Sequence, residues 1–501
     1  MKKRLARRIP GARPHAPGQP ARRLLGALAL AGLLLAGCGK DRSGPIAVSA
    51  IGGPPVVGNP NAQPLDPPAA FLAQTTAQGL VRFEASGQIE PALAQRWIVS
   101  DDGLRYTFRM ADVQWSRGGK VTAAQVAARL RAAAGPTSRN RLRPLLGVID
   151  EIEPMTEDVL EISLKAPRPN FLDLLAQPEM AILRNGEGSG PYRAARRPGG
   201  SILLTPPAPD EDAGNDPAPP QILLRGERAG LAVARFESGE ADLVTGGTLG
   251  DLPVARAVDK AAAALRFDPV GGLLGLSILR GDGPLATPAV RDALGMAIDR
   301  AALVAALAVP GLQPRESLVP AGIQEYPSPA VPAWSARPLP ARRAAAAQIV
   351  ARAAKGAPLR LRVIVPAGPG YRILFAYLRG DWRAIGVEAE AVPEGADADM
   401  RIIDVVAPVG MASWYLRSFS CEASRVCNPD ADRAIEAARL AHSPAERADL
   451  LGKADLLLAT SVPFIPLAAP VRWSLVSRRL TGFQPNVFAQ HAASELIAAR
   501  Q

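Results

Sequence analysis

The sequence predicts an α/β protein with more than one lobe, and three observations carry that expectation. At 501 residues the chain is too long for a single hydrophobic core. Between Gln78 and Met110, two stretches alternate apolar and polar residues about tight-turn residues: GLVRFEASGQIEP around Ser86-Gly87, and RWIVSDDGLRYTFRM around Asp101-Asp102-Gly103. From Ala341 to Val392 helical and strand patterns alternate, as they do in a lobe built of α/β units. Apolar residues at 48% and charged residues at 21% are the proportions of an ordinary soluble chain.

Taken in order, the chain begins with eight basic residues and no acidic one ahead of Cys38, then the apolar run Leu24–Ala36. That run is shorter than the roughly 20 residues of a membrane span and fits the apolar core of an export signal; an uncleaved signal anchor is the other reading. Of the net charge of +11, the leader supplies eight, which leaves +3 for the rest. So small an excess, with no run of basic residues interleaved with aromatics, gives no case for nucleic-acid binding.

Gly39 to Gln63 is rich in Gly, Pro and small residues and reads as a tether, within which Ile46 to Ile51 has the pattern of a first strand. Val121–Ala134 reads as a helix capped by Thr122, followed by strand patterns at Val148–Met155 and Val159–Leu164 and a short helix at Asn170–Leu175. Thr205–Pro220 is Pro- and Asp-rich and reads as a surface loop. Gly272–Leu279 is a candidate buried strand. Thr287–Leu307 reads as one helix with Thr287 as its cap and Pro288 in its first turn. Helices at Ala341–Ala354 and Tyr371–Ile385 alternate with strands at Leu359–Val365 and Val387–Val392.

Several of these stretches carry wording as well as periodicity. The opening phrase Gly79 to Met110, Pro64-Leu65-Asp66-Pro67, Gly188-Ser189-Gly190-Pro191-Tyr192, Leu231–Asp242, AVRDALGMAIDRAALV (Ala289–Val304) and Asn428–Leu467 follow one another in a fixed order. Together they resemble solute-binding protein family 5, the peptide/nickel-type extracytoplasmic binding proteins of ABC importers, nearest its dipeptide/oligopeptide branch. The resemblance implies a two-lobed periplasmic binding protein of type II with an inserted accessory domain. On that basis 1–37 is a signal peptide and 38–63 the lipid anchor and tether. Lobe I takes 64–79, 180–265 and 466–501, the accessory domain 80–179, and lobe II 266–465. Leu35-Ala36-Gly37-Cys38 resembles a bacterial lipobox, which implies lipidation of Cys38 and a membrane-anchored, periplasm-facing lipoprotein of a Gram-negative bacterium. The implied partners are a peptide or similar small solute, an inner-membrane ABC permease with its ATPase, and the membrane through the lipid; nucleic acid is not among them, and the protein is expected to be a monomer.

Signs of enzymatic chemistry are poor. There is no GxSxG, P-loop or H-E-x-x-H pattern, and the two histidines beyond Cys38, His442 and His491, lack metal-ligand spacing. No enzyme activity and no cofactor or metal is expected; so few histidines argue against a histidine-ligated nickel or haem. Arg291, Asp299 and Arg300 read as packing and orienting residues. Cys421 and Cys427 either close a small disulfide loop or remain two thiols; the surrounding SFSCEASRVCNPD resembles the dipeptide-binding branch, which implies the bridge.

The same resemblance implies an aspartate that pairs with the ligand's ammonium, and the register of the preceding segment puts Ala407 there. Asp404, three residues earlier, is the candidate substitute. Trp414 and Tyr415 are candidates to stack on a ligand, and Arg401 to meet a carboxylate. A non-transporting lipoprotein on the same fold, acting as a sensor or interaction partner, is the alternative that the missing aspartate favours.

Overall fold

A computed structural model describes residues 44–207, 219–326 and 328–497. The apolar leader and Cys38 lie outside the described residues, and so do positions 208–218 of the expected surface loop. Among the described residues no helix is long and apolar enough to cross a membrane.

The first lobe is a seven-stranded sheet. Its strands are β1 (Ile46–Ile51), β8 (Arg193–Arg196), β9 (Ile202–Thr205), β10 (Ile222–Glu227), β11 (Leu243–Thr248), β12 (Leu265–Asp268) and β18 (Arg472–Val476), in the order β12-β18-β11-β1-β10-β9-β8. β1 runs parallel to both β10 and β11. Ile46, Val48, Ser49 and Ala50 are fully buried, as expected of a central strand covered on both faces. Ile46–Ile51, expected as a first strand, is one, and with both edges paired it is part of the core.

The second lobe is a five-stranded sheet of β13 (Gly272–Ile278), β14 (Leu359–Ile364), β15 (Val387–Val392), β16 (Met400–Val406) and β17 (Phe464–Ala468), in the order β15-β14-β16-β13-β17. The two sheets are joined by short crossings at 269–271, between β12 and β13, and at 469–471, between β17 and β18. The sheet exchange thus falls a few residues beyond the boundaries expected at 265/266 and 465/466, because β12 and β17 each finish pairing before the chain leaves its sheet.

Inserted in the first lobe is a four-stranded antiparallel sheet of β4 (Ala94–Val99), β5 (Arg105–Met110), β6 (Ile149–Pro154) and β7 (Val159–Leu164), preceded by the two-stranded pair β2 (Val81–Phe83) and β3 (Ile89–Pro91). The turns at Gly87 and Gly103 have φ of 88° and 67°. Helix Ala123–Ala134 covers this sheet and carries a reciprocal capping box between Thr122 and Gln125. The α/β, two-lobed architecture with an inserted unit that the sequence implies is the one observed.

Local chemistry explains where expectation and structure part. The helix expected over Thr287–Leu307 is two, Pro288–Ala297 and Arg300–Leu307. Asp299 leaves the helical path: its carboxylate accepts from Ala302 N at 2.9 Å to cap the second helix, and its own N–H donates to Asp381. Thr287 precedes the first helix without a side-chain cap bond. Arg291 and Arg300 are buried and donate to main-chain carbonyls, Arg291 to Ser461 and Leu285, Arg300 to Pro466 and Gly295, which is an orienting role. At the Gly188–Tyr192 phrase the glycines serve close approach: a Cβ on Gly190 would lie 2.5 Å from the Thr76 carbonyl carbon.

Cys421 and Cys427 are bonded, with Cα atoms 5.0 Å apart. Closing so short a loop contributes roughly 2–3 kcal/mol through the unfolded chain. Reduction of the bridge, or Cys421→Ala/Cys427→Ala, is therefore expected to lower unfolding free energy by about that amount in a denaturant titration, with ligand binding retained.

Candidate ligand-binding cleft

Where the two lobes and the inserted unit meet, they line a partly open cleft of about 340 Å³. Helix Pro67–Thr76 supplies Phe71 and Gln74, the end of β11 supplies Thr245 to Thr248, and β18 supplies Arg472, Trp473 and Ser474. From the second lobe come Asp404 to Val406 of β16 and the following Ala407 and Pro408. The inserted unit adds Arg141, Gln177 and Glu179, and the C-terminal segment adds Phe488 to His491. Asp66 starts the first helix: its carboxylate caps Ala69 N at 3.0 Å and takes Gly53 N at 2.9 Å, which fixes the angle at which Phe71 and Gln74 reach the cavity.

The ionisable side chains of the wall form three pairs. Asp404 is met by Arg472 Nη1 at 2.7 Å on one oxygen and by the Tyr371 hydroxyl at 2.7 Å on the other. Burial, then the adjacent Asp404 charge, push the Tyr371 phenol well up, so it remains a donor across the ordinary pH range. Asp268 accepts from Asn486 N at 3.0 Å and faces His491 Nε2 at 3.2 Å, both side chains being buried. Arg141 Nε lies 2.6 Å from Glu179 Oε1. Trp473 donates from its indole to the Thr248 carbonyl at 2.8 Å and lies flat on Gly247, whose absent side chain leaves the room for it.

Of the four ligand candidates taken from sequence, Asp404 alone lines the cavity, with both carboxylate oxygens engaged by protein donors. Arg401 is five residues short of Val406 on the same strand, where its side chain pairs with Glu394 at 2.6 Å. Trp414 and Tyr415 sit on helix Ala412–Arg417 and stand edge to face at 4.8 Å. Tyr415 is buried in the cluster formed with helices Pro429–Leu440 and Pro444–Ser461, with Arg315 over its ring. Arg401, Trp414 and Tyr415 thus lie outside the cavity lining. Ala407 is 5% exposed and lines the cavity, so the expected ammonium position carries no carboxylate.

Sequence reasoning passed over Arg141, Glu179, Asp268 and Arg472, and treated His491 only as a histidine without metal-ligand neighbours. Arg472 alone left a trace, as a single charge in the apolar strand VRWSLV; the others are joined only by the fold. His442 is exposed. Among the described residues no group of three or more His, Cys, Asp or Glu side chains is placed to hold a metal ion.

A cleft at the seam of two α/β lobes, with most of its charged side chains held by their own partners, is the arrangement of a two-lobed solute-binding protein. The chain belongs to the bacterial extracellular solute-binding proteins, family 5, whose model matches residues 88–420. A Pseudomonas aeruginosa (strain UCBPP-PA14) relative named probable di/tripeptide-binding protein 5 is 22% identical over 482 residues, 84% of this chain and 89% of the relative. The nickel-binding periplasmic protein of Escherichia coli (strain K12) is 28% identical over 269 residues, 49% of this chain, and the match spans about half, 51%, of that protein. Among solved structures, the Escherichia coli murein tripeptide binding protein MppA matches with a TM-score of 0.79 at 18% identity, covering 92% of this chain and 99% of its own. That likeness carries the fold.

Proposed function

We propose that this protein is the lipid-anchored, periplasm-facing receptor of an ABC importer, which captures a peptide-sized solute between its lobes and presents it to an inner-membrane permease and its ATPase. The observation that carries the reading is the cleft at the seam of three structural units, with the only two chain crossings between the sheets, among the described residues, at 269–271 and 469–471. Short crossings of this kind serve as a hinge about which one lobe opens to admit solute and closes to retain it. The cavity is near the lower end of the roughly 300–1,000 Å³ of small-molecule sites, which favours a solute of di- or tripeptide size over a long peptide. Lipidation at Cys38 would hold this receptor, as a monomer, at the membrane face.

Thermal unfolding of the mature domain, with Cys38 removed, against di- to pentapeptides, opines and sugars tests the proposal. A solute at about 100 times its Kd adds about 2.7 kcal/mol of stability, a readily measured rise in Tm. No response to any member would overturn the receptor reading and favour the second one, a non-transporting lipoprotein that uses this fold as a sensor or docking partner. Ala407, where the family resemblance implies an aspartate, is the observation on that side.

A further inference from the structure

Four arginines meet around one small recess where the inserted unit packs against the second lobe. Arg168 comes from the inserted unit, and Arg417, Arg439 and Arg447 come from helices Ala412–Arg417, Pro429–Leu440 and Pro444–Ser461 of the second lobe. Two carboxylates answer them among the described residues. Glu436 takes Arg417 Nη2 at 3.1 Å and Arg439 Nε at 2.9 Å. Glu325 lines the recess, with one oxygen held by Ala412 N at 2.9 Å. Four guanidinium charges against two carboxylates leave an excess of positive charge.

The arginines are held in place by uncharged partners. Arg168 Nη2 donates to the Arg439 carbonyl at 2.7 Å, Arg447 Nη2 to the Pro167 carbonyl at 2.9 Å, and Arg439 Nη1 to the Gly147 carbonyl at 2.7 Å. These bonds fix geometry and bring no counter-charge. Arg168 and Arg447 are 6% and 7% exposed, so solvent ions screen them poorly. Burial, and then the nearby Arg447 charge, push the Arg168 guanidinium down to about 10. Arg417 is half-buried; among the described residues its Nε and Nη1 have no protein acceptor, and neither is sealed from solvent. The recess holds about 20 Å³, room for a single guest of water or chloride size and too little for a peptide or a phosphate ester.

We propose that this recess binds a small inorganic anion of chloride size, and that its occupancy favours the closed arrangement of the lobes. Each of the three carbonyl bonds above crosses from the inserted unit to the second lobe, so the site is complete only while those two are in contact. Opening about the crossings at 269–271 and 469–471 carries Arg168 away from the other three arginines. An anion that binds the assembled site and not the separated one shifts the balance toward closure by mass action. The anion site stands on the charge imbalance and the recess; the link to closure rests on the receptor reading above.

The test compares the mature protein in sodium chloride and in sodium gluconate at equal ionic strength, so that screening is the same and the size of the anion differs. Chloride is expected to raise Tm over gluconate in a saturable way, by at least about 1 °C. Arg417→Gln is expected to remove most of that difference. Ser413 lines the recess, and Ser413→Asp places a carboxylate where the anion sits, so this variant is expected to be as stable in gluconate as in chloride. Each response is a difference between two salts on one protein, so a lower starting stability in a variant does not decide the outcome. Equal Tm in the two salts, or an undiminished chloride response in both variants, overturns the site. Small-angle scattering reads the coupling: a smaller radius of gyration in chloride than in gluconate supports closure, and an unchanged radius overturns the coupling while leaving the site in place.

Discussion

Asp404→Ala is expected to cost about 3–5 kcal/mol of folding stability, because it leaves the Arg472 guanidinium buried without its counter-charge. Only 3% of the Asp404 side chain and 16% of that of Arg472 are exposed, so water cannot readily replace the lost partner. The Tyr371 hydroxyl loses its acceptor in the same step. Paired charges in such a setting are often replaceable as a unit, so Asp404→Leu combined with Arg472→Met is expected to regain most of the loss. Denaturant titrations of the two single variants and the double variant measure the coupling directly. Equal and additive losses would mean that the two residues act separately, and that Asp404 is available to a ligand after all.

Gly272→Ala is expected to be about as damaging, at about 4 kcal/mol, for a reason of backbone and not of charge. Gly272 has φ of 147°, a region that residues with a side chain rarely adopt, and an added Cβ would lie 2.1 Å from the Val405 carbonyl oxygen. That oxygen belongs to the neighbouring strand β16 and cannot swing aside as a side chain would. Gly272 opens β13 directly after the crossing at 269–271, and its carbonyl accepts from Arg315 Nη2 at 2.6 Å, so any displacement moves the start of the second lobe. Gly380→Ala, inside helix Pro369–Arg383 with open space around the new methyl, is the matched control and is expected to be neutral or slightly stabilising. A Gly272→Ala variant as stable as the control would show that the crossing has slack.

Much of the secondary structure was legible because its causes are local. Thr122 ahead of the Val121–Ala134 pattern predicts a capped helix, and the helix is there, its cap completed by a return bond from Gln125. The alternation around Ser86-Gly87 and Asp101-Asp102-Gly103 predicts two hairpins, and β2–β3 and β4–β5 pair as expected. The break at Asp299 was less legible, since the AVRDALGMAIDRAALV pattern is helical throughout and only Asp381, 82 residues away, reveals why the chain steps aside there.

The cavity residues were legible only in part, since a cleft between lobes is assembled from positions far apart in the chain. Asp404 and Arg472 are 68 residues apart, and Asp268 and His491 are 223 apart; no spacing rule links such partners. The aromatic pair Trp414-Tyr415 shows the complementary reason: composition marks it as ligand-like, while its helix packs on its own lobe and lies outside the cavity lining.

By itself, then, the sequence determined the α/β class, the order of family-like phrases and most element positions, because periodicity, capping and turn chemistry act within a few residues. Tertiary structure alone decided which charges face one another in the cavity: that Asp404 and Asp268 are satisfied from within. Whether a carboxylate can serve a ligand depends on desolvation and on which donors the fold brings to it, and neither quantity exists until distant segments have met.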